Sequence, residues 1–125
     1  MKAITIHQPW AWAVATGRKT VENRTWSTNY RGPLAIHAGI SKQSLHHARV
    51  FPDIPQHLVY GALIAVVTLV DCVPVNALRG SELKFVEGPW CWMLQSPILI
   101  DPYYCAGYQG LWNPPETALC IQTRP

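Results

Sequence analysis

The apolar positions come in short runs broken by Pro, Gly and polar residues, and their spacing changes along the chain. KAITIH, residues 2–7, alternates apolar and polar and reads as a strand, because successive strand side chains point to opposite faces. Pro9 suits the first turn of a helix, where its missing N–H is not needed. WAWAVAT carries that helix to Gly17, a good stop. A helix of about two turns is not stable alone in water, so it must pack on a sheet or barrel. From Lys19 the chain reads as extended. PLAIHA, 33–38, is a strand with Leu34 and Ile36 on one face and His37 on the other. SKQSLHHARVF, 41–51, reads as a helix capped by Ser41, with Leu45, Ala48 and Phe51 along one side. GALIAVVTLVDCV, 61–73, is apolar on both faces and belongs in the middle of a sheet. PWCWMLQ and PILI, on either side of Ser96–Pro97, form one bent strand or two, and TALCIQT, 117–123, reads as a last strand. Six or seven strands with two short helices predict an α+β fold: a strongly bent β-barrel or sheet with short helices packed against it. No repeat, linker or low-complexity tract divides the chain, so residues 1–125 read as a single domain.

Composition narrows the class. The chain is 49% hydrophobic and 14% charged, which fits a compact fold and not disorder. Its longest apolar stretch, GALIAVVTLV at 61–70, falls well short of the roughly 20 residues that cross a bilayer as a helix. No signal-peptide pattern opens the sequence, so the expectation is a cytoplasmic protein with no membrane partner. Cys72, Cys91, Cys105 and Cys120 contain no CxxC pair and read as small apolar residues kept reduced. His46 and His47 are adjacent, and His7, His37 and His57 are scattered. No metal-ligand spacing emerges, and neither a metal nor a cofactor is expected.

Charge is unevenly placed. Residues 1–50 hold seven basic side chains and only Glu22 as an acid, whereas residues 51–125 hold three basic and six acidic ones. If the first half forms one face, that face attracts polyanions, chiefly nucleic acid, although many basic faces merely solubilise.

The densest charge lies in GRKTVENR, 17–24. In an extended chain Thr20, Glu22, Arg24 and Trp26 share one side, and Lys19, Val21, Asn23 and Thr25 the other. Neither side is apolar throughout, so the segment is either an edge strand in water or the wall of a polar cavity. Lys19, just after Gly17, can swing to either side. Trp10, Trp12, Trp26, Tyr30 and, far downstream, Trp112 crowd the same region. Rings interleaved with charges suit a planar base, which stacks on the rings while the charges read its edge. Trp12, Trp90 and Trp92 read as core; Trp26, among Thr25, Ser27 and Thr28, fits either role.

GRKTVENR also fits the Gly-x-Lys-x-x-Glu-x-Arg signature of the ASCH domain family, whose fold resembles the PUA RNA-binding domain. ITIHQPWAWAV before it, TWSTNYRGPLAIHAG after it, and the later GPWCWML and GYQGLWNPP resemble bacterial and phage members of that family, so the likeness covers most of the chain. It implies a PUA-like bent barrel with a cleft between barrel and first helix, holding Gly17, Lys19, Glu22 and Arg24. It also implies binding of RNA or other nucleic acid, or a hydrolase that removes acyl groups from the exocyclic amine of cytidine derivatives, or a ribonuclease. The deacylating branch has a threonine three residues after its lysine, where this chain has Glu22. It also uses a later glutamate, for which Glu82 and Glu87 are the candidates here.

Three readings follow. In a binding module for RNA or a modified nucleoside, with DNA a further option, Arg18, Arg24, Arg31 and Lys42 hold phosphates. Trp10, Trp26 or Tyr30 stacks a base, and Glu22 accepts from an exocyclic amine. In a metal-independent hydrolase, Lys19 and a glutamate, Glu22 among them, carry the reaction. In a protein-interaction domain, Lys19, Glu22 and Arg24 are a structural brace.

Overall fold

The computed structural model describes residues 1–120. Its strands are β1 (Lys2–Ile6), β2 (Val21–Arg24), β3 (Gly32–Ala38), β4 (Ala62–Pro74) and β5 (Trp90–Tyr104). They form one sheet in the order β1-β3-β4-β5-β2, in which β1 runs parallel to β3 and the other pairs are antiparallel. The sheet is a curled half-barrel. Five strands replace the six or seven expected, for two reasons. PWCWMLQ and PILI are a single strand, β5, which passes Ser96 in the left-handed region (φ +54°). TALCIQT is not a strand where it is described: Glu116–Cys120 is a short helix, α2, and residues 121–123 lie outside the described residues. Pro114 and Pro115 cannot donate to a ladder, and Ala118 N–H bonds the Pro115 carbonyl, so this stretch coils into a turn of helix.

The curl comes from β4 and β5. Both are long, and their register slips between Leu63 and Ala65, Val66 and Thr68, and Leu69 and Asp71. Each irregularity bends the ribbon and sharpens its twist. β4 is indeed central and buried on both faces over Ala62–Val67. On the concave face, Ile4, Ile6, Leu34, Ile36, Val67, Leu69 and Trp92 close on Ala11, Val14 and Ala15 of helix α1 (Trp10–Ala15). On the other face, Ala35, Leu63, Val66 and Ile100 lie under Trp112 and Ala118. His37 also turns to that side, opposite Leu34 and Ile36 as its alternation requires, with its ring 5.4 Å from Trp112.

The stretch 41–51 falls short of an α-helix. Leu45–Val50 is a 3₁₀ turn that follows Ser44, and the Ser41 hydroxyl accepts from Gln43 N–H in a local turn. Pro52 biases Phe51 toward the extended conformation it adopts, which ends the turn there. Phe51 is buried, as its place on the apolar side foretold. No helix among the described residues is long and apolar enough to cross a membrane.

Candidate functional site: a cleft at the open seam of the sheet

β1 and β2 are the two ends of the sheet and do not pair with each other. The cleft lies along this seam, and GRKTVENR forms one of its banks. Helix α1 sets the starting point. Pro9 caps it without a side-chain bond; instead the buried Gln8 accepts from Trp12 N–H and donates to the Val59 carbonyl. At the other end Gly17 adopts φ +79°, a conformation costly for any residue with a Cβ. Gly17 N–H bonds the Val14 carbonyl and Lys19 N–H bonds the Ala13 carbonyl, so the helix terminus fixes the backbone of Lys19.

From there Lys19 swings to the side of Glu22. Its Nζ donates to Glu22 Oε1 at 2.9 Å. Arg24 Nε donates to Glu22 Oε2 at 3.1 Å, and its Nη2 lies 3.0 Å from the same oxygen. That Nη2 also donates to the Thr5 carbonyl at 2.9 Å, so Arg24 ties β2 to β1 across the seam. The side chains of Lys19 and Glu22 are only 5% and 10% exposed, which sets this group apart from a surface ion pair. One carboxylate is clamped between two cations, leaving one net positive charge.

Trp10 stands over the cluster, its ring centroid 5.5 Å from Lys19 Nζ; it meets Phe85 and Phe51 edge-on and the His47 ring at a tilt. Trp26 packs edge-on against the buried Trp92, whose indole N–H donates to the Trp26 carbonyl. Glu22, Arg24, Trp10 and Trp26 all line a cavity of about 330 Å³. It adjoins a smaller one, about 170 Å³, walled by Trp10, Lys19, Glu22, Asn23, His47, Phe85 and Glu87. On its other side, sharing Thr5, His7, Arg24 and Trp26, a cavity of about 690 Å³ extends to His37 and residues 105–110.

Other expected site residues lie elsewhere. Tyr30 lines none of these three cavities; its hydroxyl donates to the Pro33 carbonyl beside Lys2. Arg31 is exposed, bonded to the Thr28 and Tyr30 carbonyls and facing Asp71 at 3.5 Å. Arg18 pairs with Asp53, whose carboxyl it holds below the usual range, and lies over the Trp12 ring. Lys42 sits over Tyr60. Of the two later glutamates, Glu87 reaches the cavity of Lys19 and Glu82 does not. Among the described residues no group of three His, Cys, Asp or Glu side chains is placed to hold a metal ion.

Two contributors escaped the sequence reading. Asn23 makes no bond to the cluster and staples a distant loop: its Nδ2 donates to the Phe85 carbonyl, and its Oδ1 accepts from the N–H groups of Glu87 and Gly88. This staple brings Phe85 and Glu87 into the wall of the cavity that Lys19 lines. Its signal was its place between Glu22 and Arg24, facing the opposite side. The second is His37. Its Nε2 meets the Cys105 carbonyl at 2.8 Å, so Nε2 carries the proton and Nδ1 accepts from the Thr5 hydroxyl. Thr5 in turn accepts from Trp112 Nε1. Burial lowers the His37 pKa below its usual value, against the smaller opposing effect of the Cys105 carbonyl.

Against known proteins, the family model described as ASCH domain matches residues 4–114. Human activating signal cointegrator 1 is 32% identical over 81 residues, which span 56% of this chain; the match takes in 14% of that protein's length. The ASCH protein of Zymomonas mobilis superposes with a TM-score of 0.63 at 15% identity, covering 98% of this chain and 96% of that one. A point mutant of it gives 0.66 at 16% identity, covering 98% of both chains. At these identities the likeness shows a shared fold.

Proposed function

The chain belongs to the ASCH domain family, and from that premise we propose that it binds single-stranded RNA, or a modified nucleoside, in the seam cleft. ASCH domains are associated with RNA binding within the PUA-like superfamily. The observation that carries the reading is the Lys19–Glu22–Arg24 cluster, its lysine and carboxylate buried, with Glu22 and Arg24 sharing a cavity wall with Trp10 and Trp26. Two cations around one carboxylate leave a positive field in a site of low dielectric, and the rings offer apolar planes. Both Glu22 oxygens are already engaged by cations, so its first role is to aim Lys19 and Arg24; a remaining lone pair is left for a base donor. A cleft of this size suits one or two splayed nucleotides and not a duplex, whose bases are stacked away from side chains.

The test is fluorescence anisotropy with labelled single-stranded hexaribonucleotides and the matching duplex at low salt. Single strands should bind and compete with each other, and Lys19→Met should weaken them. Equal binding of duplex and single strand, or no binding, would sink this reading. One observation favours a second reading, a hydrolase: Glu87 lines the same cavity as Lys19. Incubation with N4-acylated cytidines and short RNAs in EDTA decides it. Turnover that vanishes in both Lys19→Met and Glu87→Gln, while ligand still binds, assigns the hydrolase.

A further inference from the structure

The large cavity at the far end of the seam has a chemistry of its own. Its lining includes Arg24, His7 and His37 and not one Asp or Glu. Arg24 spends Nε and Nη2 on Glu22 and Thr5, whereas its Nη1 makes no hydrogen bond among the described residues and is open to solvent. His7 receives Gln43 on Nδ1, which leaves Nε2–H as a donor. Facing them is the loop Cys105–Gly110. Its start is held by His37 to the Cys105 carbonyl and by Cys105 N–H to the Gly61 carbonyl; beyond it, Trp112 exchanges two backbone bonds with Ala3. Between these anchors the N–H groups of residues 106–111 donate to no described group. The loop lies close on the buried His37 and the half-buried Thr5: a Cβ on Gly107 would sit 2.6 Å from both. Arg24 and His7 thus line one side of the space, and a loop anchored at both ends, with backbone N–H groups free of described partners, lines the other.

We propose that this cavity is a phosphate subsite, taking the phosphate group of a nucleotide whose base lies in the adjoining cleft between Trp10 and Trp26. The identity of the nucleotide rests on the RNA-binding reading above; the phosphate chemistry does not. Terminal phosphate oxygens only accept hydrogen bonds, and a guanidinium edge together with backbone N–H groups free to donate matches them. A cation would find no carboxylate there, and a neutral sugar would gain nothing from the charge. Two sources share this chemistry, a free nucleotide and the backbone of an RNA strand.

The experiment follows backbone amide signals of ¹⁵N-labelled protein with four probes: inorganic phosphate, cytidine, cytidine 5′-monophosphate and the dinucleotide CpC. Phosphate and the monophosphate should move the amides of Ala106 to Gly110, and cytidine should not. The monophosphate should bind about tenfold tighter than cytidine, the size of one charge-assisted contact. Gln109→Glu, at an exposed position, should erase that preference and leave cytidine binding unchanged. A tighter CpC assigns the strand backbone, and a tighter monophosphate assigns the free nucleotide. If nucleoside and nucleotide bind alike with amides 106–110 unmoved, the subsite is wrong and the base cleft survives. If phosphate alone moves them and no nucleoside binds, the subsite stands and the RNA reading falls. Silence to all four removes both.

Discussion

Glu22 is the residue on which the cluster turns, because it is the acid that Lys19 and Arg24 share. Both its neighbours lose their counter-charge if it is neutralised, and Lys19 is buried. Removing one partner of a buried ion pair typically costs about 3–5 kcal/mol, since the other charge stays desolvated. Glu22→Gln should therefore lower the urea midpoint strongly. Lys19→Met should cost less, because Glu22 keeps Arg24 and the methionine chain still packs on Trp10. The reverse order would mean that Glu22 reaches water. His37 makes the second prediction at this scale. Its folded pKa lies below the unfolded value, about 6.5. The unfolded chain then binds more protons in the window just below 6.5, so stability is complete above that pH and falls as pH drops through it. Thermal melts between pH 7.5 and 5 should show this loss, and His37→Gln should flatten it. A melting temperature that rises on acidification would place His37 as a charged residue.

The loop carrying Phe85 and Glu87 depends on one side chain of a different element. Asn23 satisfies three of its backbone groups, and β2 holds Asn23 rigidly through pairing with Cys91 of β5. Asn23→Ala leaves those groups to water at a cost of about 1–3 kcal/mol, spent locally. Hydrogen exchange at residues 85–88 should accelerate while that of β3 and β4 stays slow. Uniform acceleration across the sheet would show instead that Asn23 supports the global fold. Gly88 belongs to the same device. Its φ is +75°, and a Cβ there would lie 2.5 Å from Val75, so no larger residue lets the loop return on this path.

At the scale of the molecule, the basic first half does not stay separate. Arg18 pairs with Asp53 and Arg31 faces Asp71, so acids of the second half fold onto cations of the first. Fewer cations remain free to meet phosphates than the composition promised. With about two or three contacts to a single strand, the slope of log affinity against log salt should be roughly −1.5 to −2. Arg31→Ala should change it little, and Arg24→Gln should lower its magnitude by about 0.7. A slope near −4 would mean that the surface pairs open on binding and that the whole basic half takes part.

What local sequence determined here is what local physics controls. The alternation in 2–7 and 33–38, the two-faced apolar run of β4, Pro9 before α1 and Gly17 after it all act within a few residues, and each appears in the structure. The same reading stayed open, or went wrong, where neighbours decide. One bent strand or two fitted the run around Ser96 and Pro97, and pairing to β4 on both sides of them makes it one. TALCIQT has a strand's composition, and two preceding prolines started a helix instead. The site divides in the same way. Gly17, Lys19, Glu22 and Arg24 were legible as a motif because they lie within eight residues. That Lys19 turns toward Glu22, that Arg24 crosses the seam to Thr5, and that Asn23 draws in residues 85–88 were decided by tertiary structure alone. Those contacts exist only once the curl of β4 and β5 has brought the two ends of the sheet face to face, because burial, which makes the charges costly to leave unpaired, is a property of the assembled fold.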